Sequence, residues 1–301
     1  IIRNHSESKY YKLIEGDVKN KELLIDEMKD CDFLIAGAAM IGGISYFHEF
    51  EYDLLSENEK IISSTTDVAI ECFKKYKLKR VVFLSSSMVF ESSNNFPTEE
   101  VDITTIPPPI SSYGFQKLAV EYFAKAANSQ YGLEYSIARP FNCVGIGEVK
   151  TDNNKKISET SANLALSHVV PDLILKTLDK KDYVEILGTG NQIRHYTYGE
   201  DLAKGIVTLL EHPKAKNDDF NLSTSESTTV IDLAKLIWKK IRKNEEYNFK
   251  HIDPFMYDVQ KRIPSTKKAK NILDFEAKTN LDSMLDIVIP WVVNAKKDGL
   301  Y

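Results

Sequence analysis

At 301 residues with a formal net charge of −5, the chain is long enough to bury a large core and offers no electrostatic support for a nucleic-acid partner. Hydrophobic residues make up 43% and charged residues 28%, ordinary values for a globular protein, and no apolar run approaches the ~18–20 residues needed to span a bilayer. Cys31, Cys72 and Cys143 follow neither metal-ligand nor disulfide spacing, which excludes a cysteine-built metal centre and points to free thiols in a reducing cytoplasm.

The chain opens on "IIRNHSESKYYK", neither an initiator sequence nor a signal peptide. "YKLIEGDV" reads as a strand, and "NKELLIDEMKDC" as a helix with Leu23, Leu24, Ile25 and Met28 on one apolar stripe. "DFLIAGAAMIGG" is a strand that runs into a loop of small residues, as a dinucleotide-binding loop begins. A helical pattern at about 55–76 leads to the strand "RVVFLSSS", and another at about 112–130 leads to "EYSIARPFN". This alternation implies a parallel sheet with helices on both faces. Beyond about residue 150 come a polar loop, "TDNNKKISETSAN", a helix, "SHVVPDLILKTL", a strand, "YVEILGTG", and a helix, "GEDLAKGIVTLLEH". A short strand at "DFNLS", the helix "TVIDLAKLIWKKIRKN" and a tail of loop plus helices complete the chain, with no internal repeat.

Tyr113 and Lys117 in "SSYGFQK" form a Tyr-x-x-x-Lys pair behind a helix cap at Ser111 or Ser112. Four-residue spacing puts phenol and ammonium on one helix face, and an ammonium beside a phenol draws its pKa down. The same spacing recurs at Tyr257 and Lys261, but only Tyr113 follows a strand that ends in serines, "RVVFLSSSMVFE". Parallel sheets bind ligands at the carboxyl ends of their strands, so those hydroxyls project beside the next helix.

Strand, "SSSMVF", "SSYGFQK" and "ARPFN", in that order, resemble the extended short-chain dehydrogenase/reductase superfamily, the NAD-dependent sugar-nucleotide epimerases and dehydratases. The resemblance extends over nearly the whole chain. It implies a doubly wound parallel, Rossmann-type α/β sheet with a smaller C-terminal α/β substrate-binding domain. The expected dinucleotide-binding domain is 1–145, with 192–224 returning to it; the substrate domain is 146–191 and 225–301. By resemblance, Asp17 and Val18 of "GDV" contact the adenine, Ala36, Gly37 and Ala38 line the cofactor's ribose and diphosphate, and Pro140 stands at the cofactor. "GTGNQIRHYTYGEDLAKGI" carries Arg194 toward the substrate diphosphate, and "DVQKRIPSTKKAKNIL" carries Asp258 and Arg262 toward the nucleotide. Asn142 matches a phosphate contact, or is a polar loop residue. His168, with Val169, matches a position near the base; the histidine alone reads equally as a cap or surface residue. His195 reads as structural.

The family's first strand, glycine-rich turn and second strand should precede Ile1 by roughly 35–45 residues, so the first βαβ portion is expected to be missing and this chain to be an N-terminally incomplete piece of a longer protein. The family's asparagine in the helix after the small-residue loop is replaced by Ile62. Ser86 is the preferred catalytic hydroxyl, with Ser87 in reserve. Ser87 and Met88 fall where relatives that dehydrate or 3,5-epimerise carry acids or a thiol, and neither is an acid or base at neutral pH. The implied function is therefore NAD-dependent epimerisation of a nucleoside-diphosphate sugar at the 4-position. Ser86, Tyr113 and Lys117 would be catalytic, and Tyr113 and Lys117 would also hold the cofactor. A keto-sugar reductase using NAD(P)H and a non-catalytic nucleotide-binding scaffold are the alternatives. Relatives pair the helices at about 55–76 and 112–130 into a homodimer, and Phe115, Tyr122 and Phe123 suit such a face. No metal, membrane or nucleic acid is expected.

Overall fold

A computed structural model describes residues 10–41, 50–148, 168–179, 181–254 and 259–301. Four strands, β1 (Phe33–Ala36), β2 (Arg80–Leu84), β3 (Tyr135–Pro140) and β8 (Asp218–Leu222), pair in parallel in the order β1-β2-β3-β8. β2 and β3 lie at the centre, and their near-continuous apolar runs are what a sheet covered on both faces requires. Side chains alternate across the pleat. Val81 and Phe83 join Ile137 beneath helices α2 (Glu51–Lys75) and α3 (Ser112–Tyr131), packed on Val68, Ala69, Cys72, Val120 and Ala124. Val82 and Ala138 face the other way, joining Phe220 and Leu222 against α5 (Gly199–Glu211) and α7 (Lys267–Leu273).

A second core lies under α4 (Val169–Leu178), α6 (Val230–Arg242) and α8 (Leu281–Lys297). Ile174, Ile186, Leu233, Ile237, Trp238 and Met284 fill it. Its sheet pairs β5 (Val184–Leu187) with β10 (Phe249–Ile252), a strand that "NFKHI" does not announce because it lacks clean alternation. Two-residue strands β4 (Cys143–Val144), β6 (Ile193–Arg194), β7 (Thr197–Tyr198) and β9 (Thr228–Thr229) pair as β4-β7 and β6-β9; such short pairings leave no periodic signature.

One expected strand does not form. Residues 11–18, "YKLIEGDV", run as irregular chain into a turn before α1 (Lys21–Met28), which Asn20 caps by accepting from Leu23 N. A strand exists through its ladder, and among the described residues nothing pairs with this segment. β1 correspondingly forms an edge of the sheet, with Phe33 and Ile35 37% and 44% exposed.

Candidate active site

β2 ends at Leu84, and the three serines that follow separate by direction. Ser85 turns into the core, donating to Glu121 Oε1 at 2.7 Å. Ser86 faces the other way; it caps a 3₁₀ turn at Ser87–Phe90, accepting from Met88 N at 3.2 Å, and lies near enough to the Tyr113 phenol to favour its ionised form. Ser87 is buried within the turn and Met88 is half-buried.

Tyr113 stands in the first turn of α3. Ser111, rather than Ser112, caps that helix, accepting from Gly114 N at 3.0 Å. Burial pushes the phenol above its ordinary pKa, and the nearby Ser86 hydroxyl and the Arg262 charge pull it partly back. The sequence points to Lys117 as the cation that lowers this pKa; the geometry differs. Lys117 lies one turn along α3 and is 8% exposed, but Nζ donates to Leu84 O at 3.2 Å and sits 5.9 Å from the Tyr113 ring centroid. Burial lowers the Lys117 ammonium to about 8.

That shift has a measurable consequence for stability. The unfolded lysine titrates near ~10.4, so the burial penalty is fully present below pH ~8 and fades as pH rises from there toward 10. Lys117→Met is therefore expected to raise Tm at pH 7, with a gain of up to about 3 kcal/mol that shrinks by pH 10. Thermal unfolding at the two pH values checks this; an equal gain at both would show that Lys117 is not buried as an ammonium.

Arg194 and Arg262 approach from the second core. Arg262 N donates to Ile193 O at 3.1 Å, placing its chain beside Arg194, and its charge acts on both Tyr113 and His168. Arg194 is buried, and Nη1 donates to Ile193 O at 2.9 Å and Gln260 O at 3.5 Å. Asn142 follows β3 with φ 39° and donates to His195 O at 3.4 Å. His168 precedes α4, its backbone N and Nδ1 both on Glu148 Oε1 at 2.9 and 2.6 Å, and this partner raises its pKa. Val169 is the half-buried first residue of that helix. Asp258 lies outside the described residues. His195 is buried with Nδ1 on Thr224 O at 2.9 Å and Nε2 on Ser227 Oγ at 2.8 Å, and burial holds it below its ordinary pKa. With Nδ1 donating to a carbonyl and Nε2 bonded to a hydroxyl, both nitrogens are occupied internally and the ring joins neighbouring segments.

On the opposite flank, Ala36 ends β1, with Gly37 and Ala38 exposed beyond it, and Pro140 ends β3 beside Leu222. Asp17 is exposed and accepts from Lys19 N at 2.8 Å, while Val18 O accepts from Ser64 Oγ at 3.2 Å. Ile62 packs into the core. Buried Asn58 accepts from Met40 N at 2.7 Å and donates to Met40 O at 2.9 Å, pinning the loop after β1. Its signal in the sequence is an amide on the apolar stripe Leu54, Asn58, Ile62. Glu91, Glu121 and Arg139 also escape the sequence reading, although a charge inside the apolar strand "YSIARP" or on the buried stripe of α3 is informative.

Among the described residues no group of three or more His, Cys, Asp or Glu side chains could hold a metal, and no helix is long and apolar enough to cross a membrane. The fold is shared with a solved UDP-glucose 4-epimerase of Thermotoga maritima, crystallised with UDP-glucose: TM-score 0.78 at 24% identity, covering 94% of this chain and 84% of that one. A UDP-glucose 4-epimerase of Halalkalibacterium halodurans is 27% identical over 291 residues, 92% of this chain and 81% of its own. A GDP-L-fucose synthase of Dictyostelium discoideum is 26% identical over 206 residues, 66% of this chain; the match spans only 59% of that relative's length. The family model described as "NAD dependent epimerase/dehydratase family" matches residues 2–223. With three quarters of its length so matched, this chain belongs to the NAD-dependent epimerase/dehydratase family.

Proposed function

We propose that the protein is an NAD-dependent epimerase that inverts a nucleoside-diphosphate hexose at its 4-hydroxyl. The observation that carries this reading is the approach of Ser86, at the carboxyl end of β2, to the Tyr113 phenol, with Lys117 and Arg262 flanking it. Tyr113 takes the proton of the sugar hydroxyl, and Ser86 donates to the same oxygen as it gains carbonyl character. Arg194, Arg262 and Asn142 hold the diphosphate, guanidinium groups suiting it through paired donors. A diphosphate held while the sugar turns allows attack on either face of the ring. Ser87 and Met88 supply no acid or base for the adjoining carbons, which disfavours dehydration and 3,5-epimerisation.

NAD, when bound, supplies reversible two-electron oxidation of the sugar alcohol. The residues present fit its ribose-nicotinamide end. Lys117 Nζ has one carbonyl partner, Leu84 O, and an ammonium's remaining donors suit a ribose diol. The small residues 36–38 leave backbone exposed beside it. Asp17 and Val18 are the proposed adenine contacts, and His168, Val169 and Asp258 the proposed nucleoside contacts.

The test is a panel of UDP-, GDP-, CDP- and dTDP-hexoses incubated with the full chain and catalytic NAD, with products read by NMR. Interconversion of 4-epimers without net cofactor consumption is expected. Stoichiometric consumption of NAD(P)H by a keto-sugar would establish a reductase instead. Cofactor binding with no turnover on any sugar would establish a scaffold.

The proposed partner is a second copy of the chain. α2 and α3 pack side by side and present Tyr52, Phe115 and Tyr122, of which Tyr122 is 68% exposed; Phe123 packs against the core and contributes less. Light scattering is expected to give twice the chain mass, and Tyr122→Arg to shift the population to monomer by burying a charge in that face. A monomeric wild type would end this proposal.

A further inference from the structure

The 3₁₀ turn that carries Ser86 and the helix that carries Tyr113 are joined by a long excursion, residues 91–111, whose two ends are fastened together. Glu91 follows directly on the turn, and its N donates to Met88 O at 3.1 Å. A single oxygen, Oε2, accepts from Ser111 N at 3.0 Å and from Ser111 Oγ at 2.8 Å. Ser111 Oγ is the atom that caps α3 by accepting from Gly114 N. Ser92 Oγ adds a bond to Pro108 O at 3.0 Å, so the fastening covers consecutive residues.

The two elements meet closely because residue 114 has no side chain. A Cβ there would stand 2.7 Å from Pro109 Cβ, 2.9 Å from Met88 O and 3.0 Å from Glu91 Oε2. Backbone oxygen and proline ring cannot yield as a flexible side-chain tip would. The carboxylate pulls turn and helix together, and the glycine admits the approach. A carboxylate is the favoured acceptor at that spot, because its bonds are charge-assisted and it faces a helix N-terminus.

We propose that Glu91, acting through Ser111 and against Gly114, is a positioning residue that holds the Ser86 turn beside the Tyr113 phenol. Its consequence for turnover rests on the function proposed above; the geometry does not. Glu91 touches neither reacting group of that proposal. Of the groups that face the phenol, Ser86 and Arg262 favour its ionised form, and Lys117 lies beyond the ring. Loosening the fastening withdraws Ser86.

The test needs no substrate. The full chain is labelled with 3-fluorotyrosine, which titrates at lower pH than tyrosine, and the Tyr113 signal is identified by its loss in Tyr113→Phe. Glu91→Gln retains an acceptor oxygen without the charge, and the Tyr113 midpoint is expected to stay level or fall slightly. Glu91→Ala removes the acceptor, and the midpoint is expected to rise by about one pH unit, the order of one lost hydrogen bond to the ionised form. Removing a nearby negative charge by itself would lower it, so the sign separates positioning from electrostatics. Gly114→Ala, which wedges the same elements apart, is expected to raise it too. An unchanged or lowered midpoint in Glu91→Ala, or an equal rise in Glu91→Gln, overturns the proposal; if Glu91→Ala does not fold, Gly114→Ala and Glu91→Gln decide in the same way. On a sugar that turns over, Glu91→Ala is expected to lower kcat about tenfold, Glu91→Gln to restore it, and KM to hold. Absence of turnover on the whole panel with the titration as stated would sink the function and leave the positioning role standing.

Discussion

Tyr113→Phe is expected to lower kcat by about 100- to 10,000-fold while leaving nucleotide affinity within a few-fold of wild type. The change removes one oxygen and keeps the ring, so the packing of the first turn of α3 survives. Lost with that oxygen is the proposed proton acceptor, and its burial disfavours replacement by a water. Arg194, Arg262 and Asn142, the proposed diphosphate contacts, lie on other elements that this change does not touch. Paired measurements of kcat and of nucleotide Kd by calorimetry check both halves. Near-wild-type turnover would refute the catalytic assignment, whereas equal loss of binding would mean that the phenol grips substrate instead of moving a proton.

The second large effect falls on stability. Glu121→Ala is expected to destabilise the fold by about 3–5 kcal/mol. Arg139 and Glu121 are both fully buried, with Nε on Oε1 and Nη2 on Oε2, each at 2.7 Å. Arg139 Nη2 also reaches Asp219 Oδ2 at 2.5 Å, and Lys268 donates to Asp218 and Asp219 from the edge. Burial opposes the Arg139 charge, but the Glu121 and Asp219 carboxylates outweigh it and hold the guanidinium protonated more firmly than usual. Burial likewise opposes the Asp219 charge, yet Arg139 and Lys268 keep that carboxyl below its ordinary range. Truncating Glu121 leaves a buried cation half-paired, whereas Glu121→Leu with Arg139→Met removes both charges and is expected to recover most of the loss. Thermal unfolding of the single and double variants decides between them. A single variant within about 1 kcal/mol of wild type would mean that solvent reaches Arg139 after all.

The network also reaches the active site. Glu121 Oε1 accepts from Ser85, the neighbour of Ser86, and Glu121 lies one helical turn beyond Lys117. It ties together β2, α3, β3 and β8, the elements whose ends carry the proposed chemistry. No local pattern in the sequence could reveal this, since Glu121, Arg139 and Asp219 are distant in the chain and meet only in the packed sheet.

Periodicity alone was enough for the parallel sheet and its flanking helices. "RVVFL" and "YSIARP" are apolar without interruption because both faces of their strands are covered, and the stripe of α2 repeats at three and four because one face of that helix is. Tyr113 and Lys117 were legible for the same reason: four residues on a helix make one face. Packing decided the rest. Only the turn after β2 shows which of three adjacent serines meets the phenol. Only tertiary contact shows that Asn58 pins the loop after β1 through Met40, and that "YKLIEGDV", strand-like in composition, joins no ladder among the described residues. Local sequence specifies which face of an element is apolar; which polar atom meets which, across segments tens of residues apart, is set when the cores close, because a buried donor is stable only with the acceptor that packing delivers.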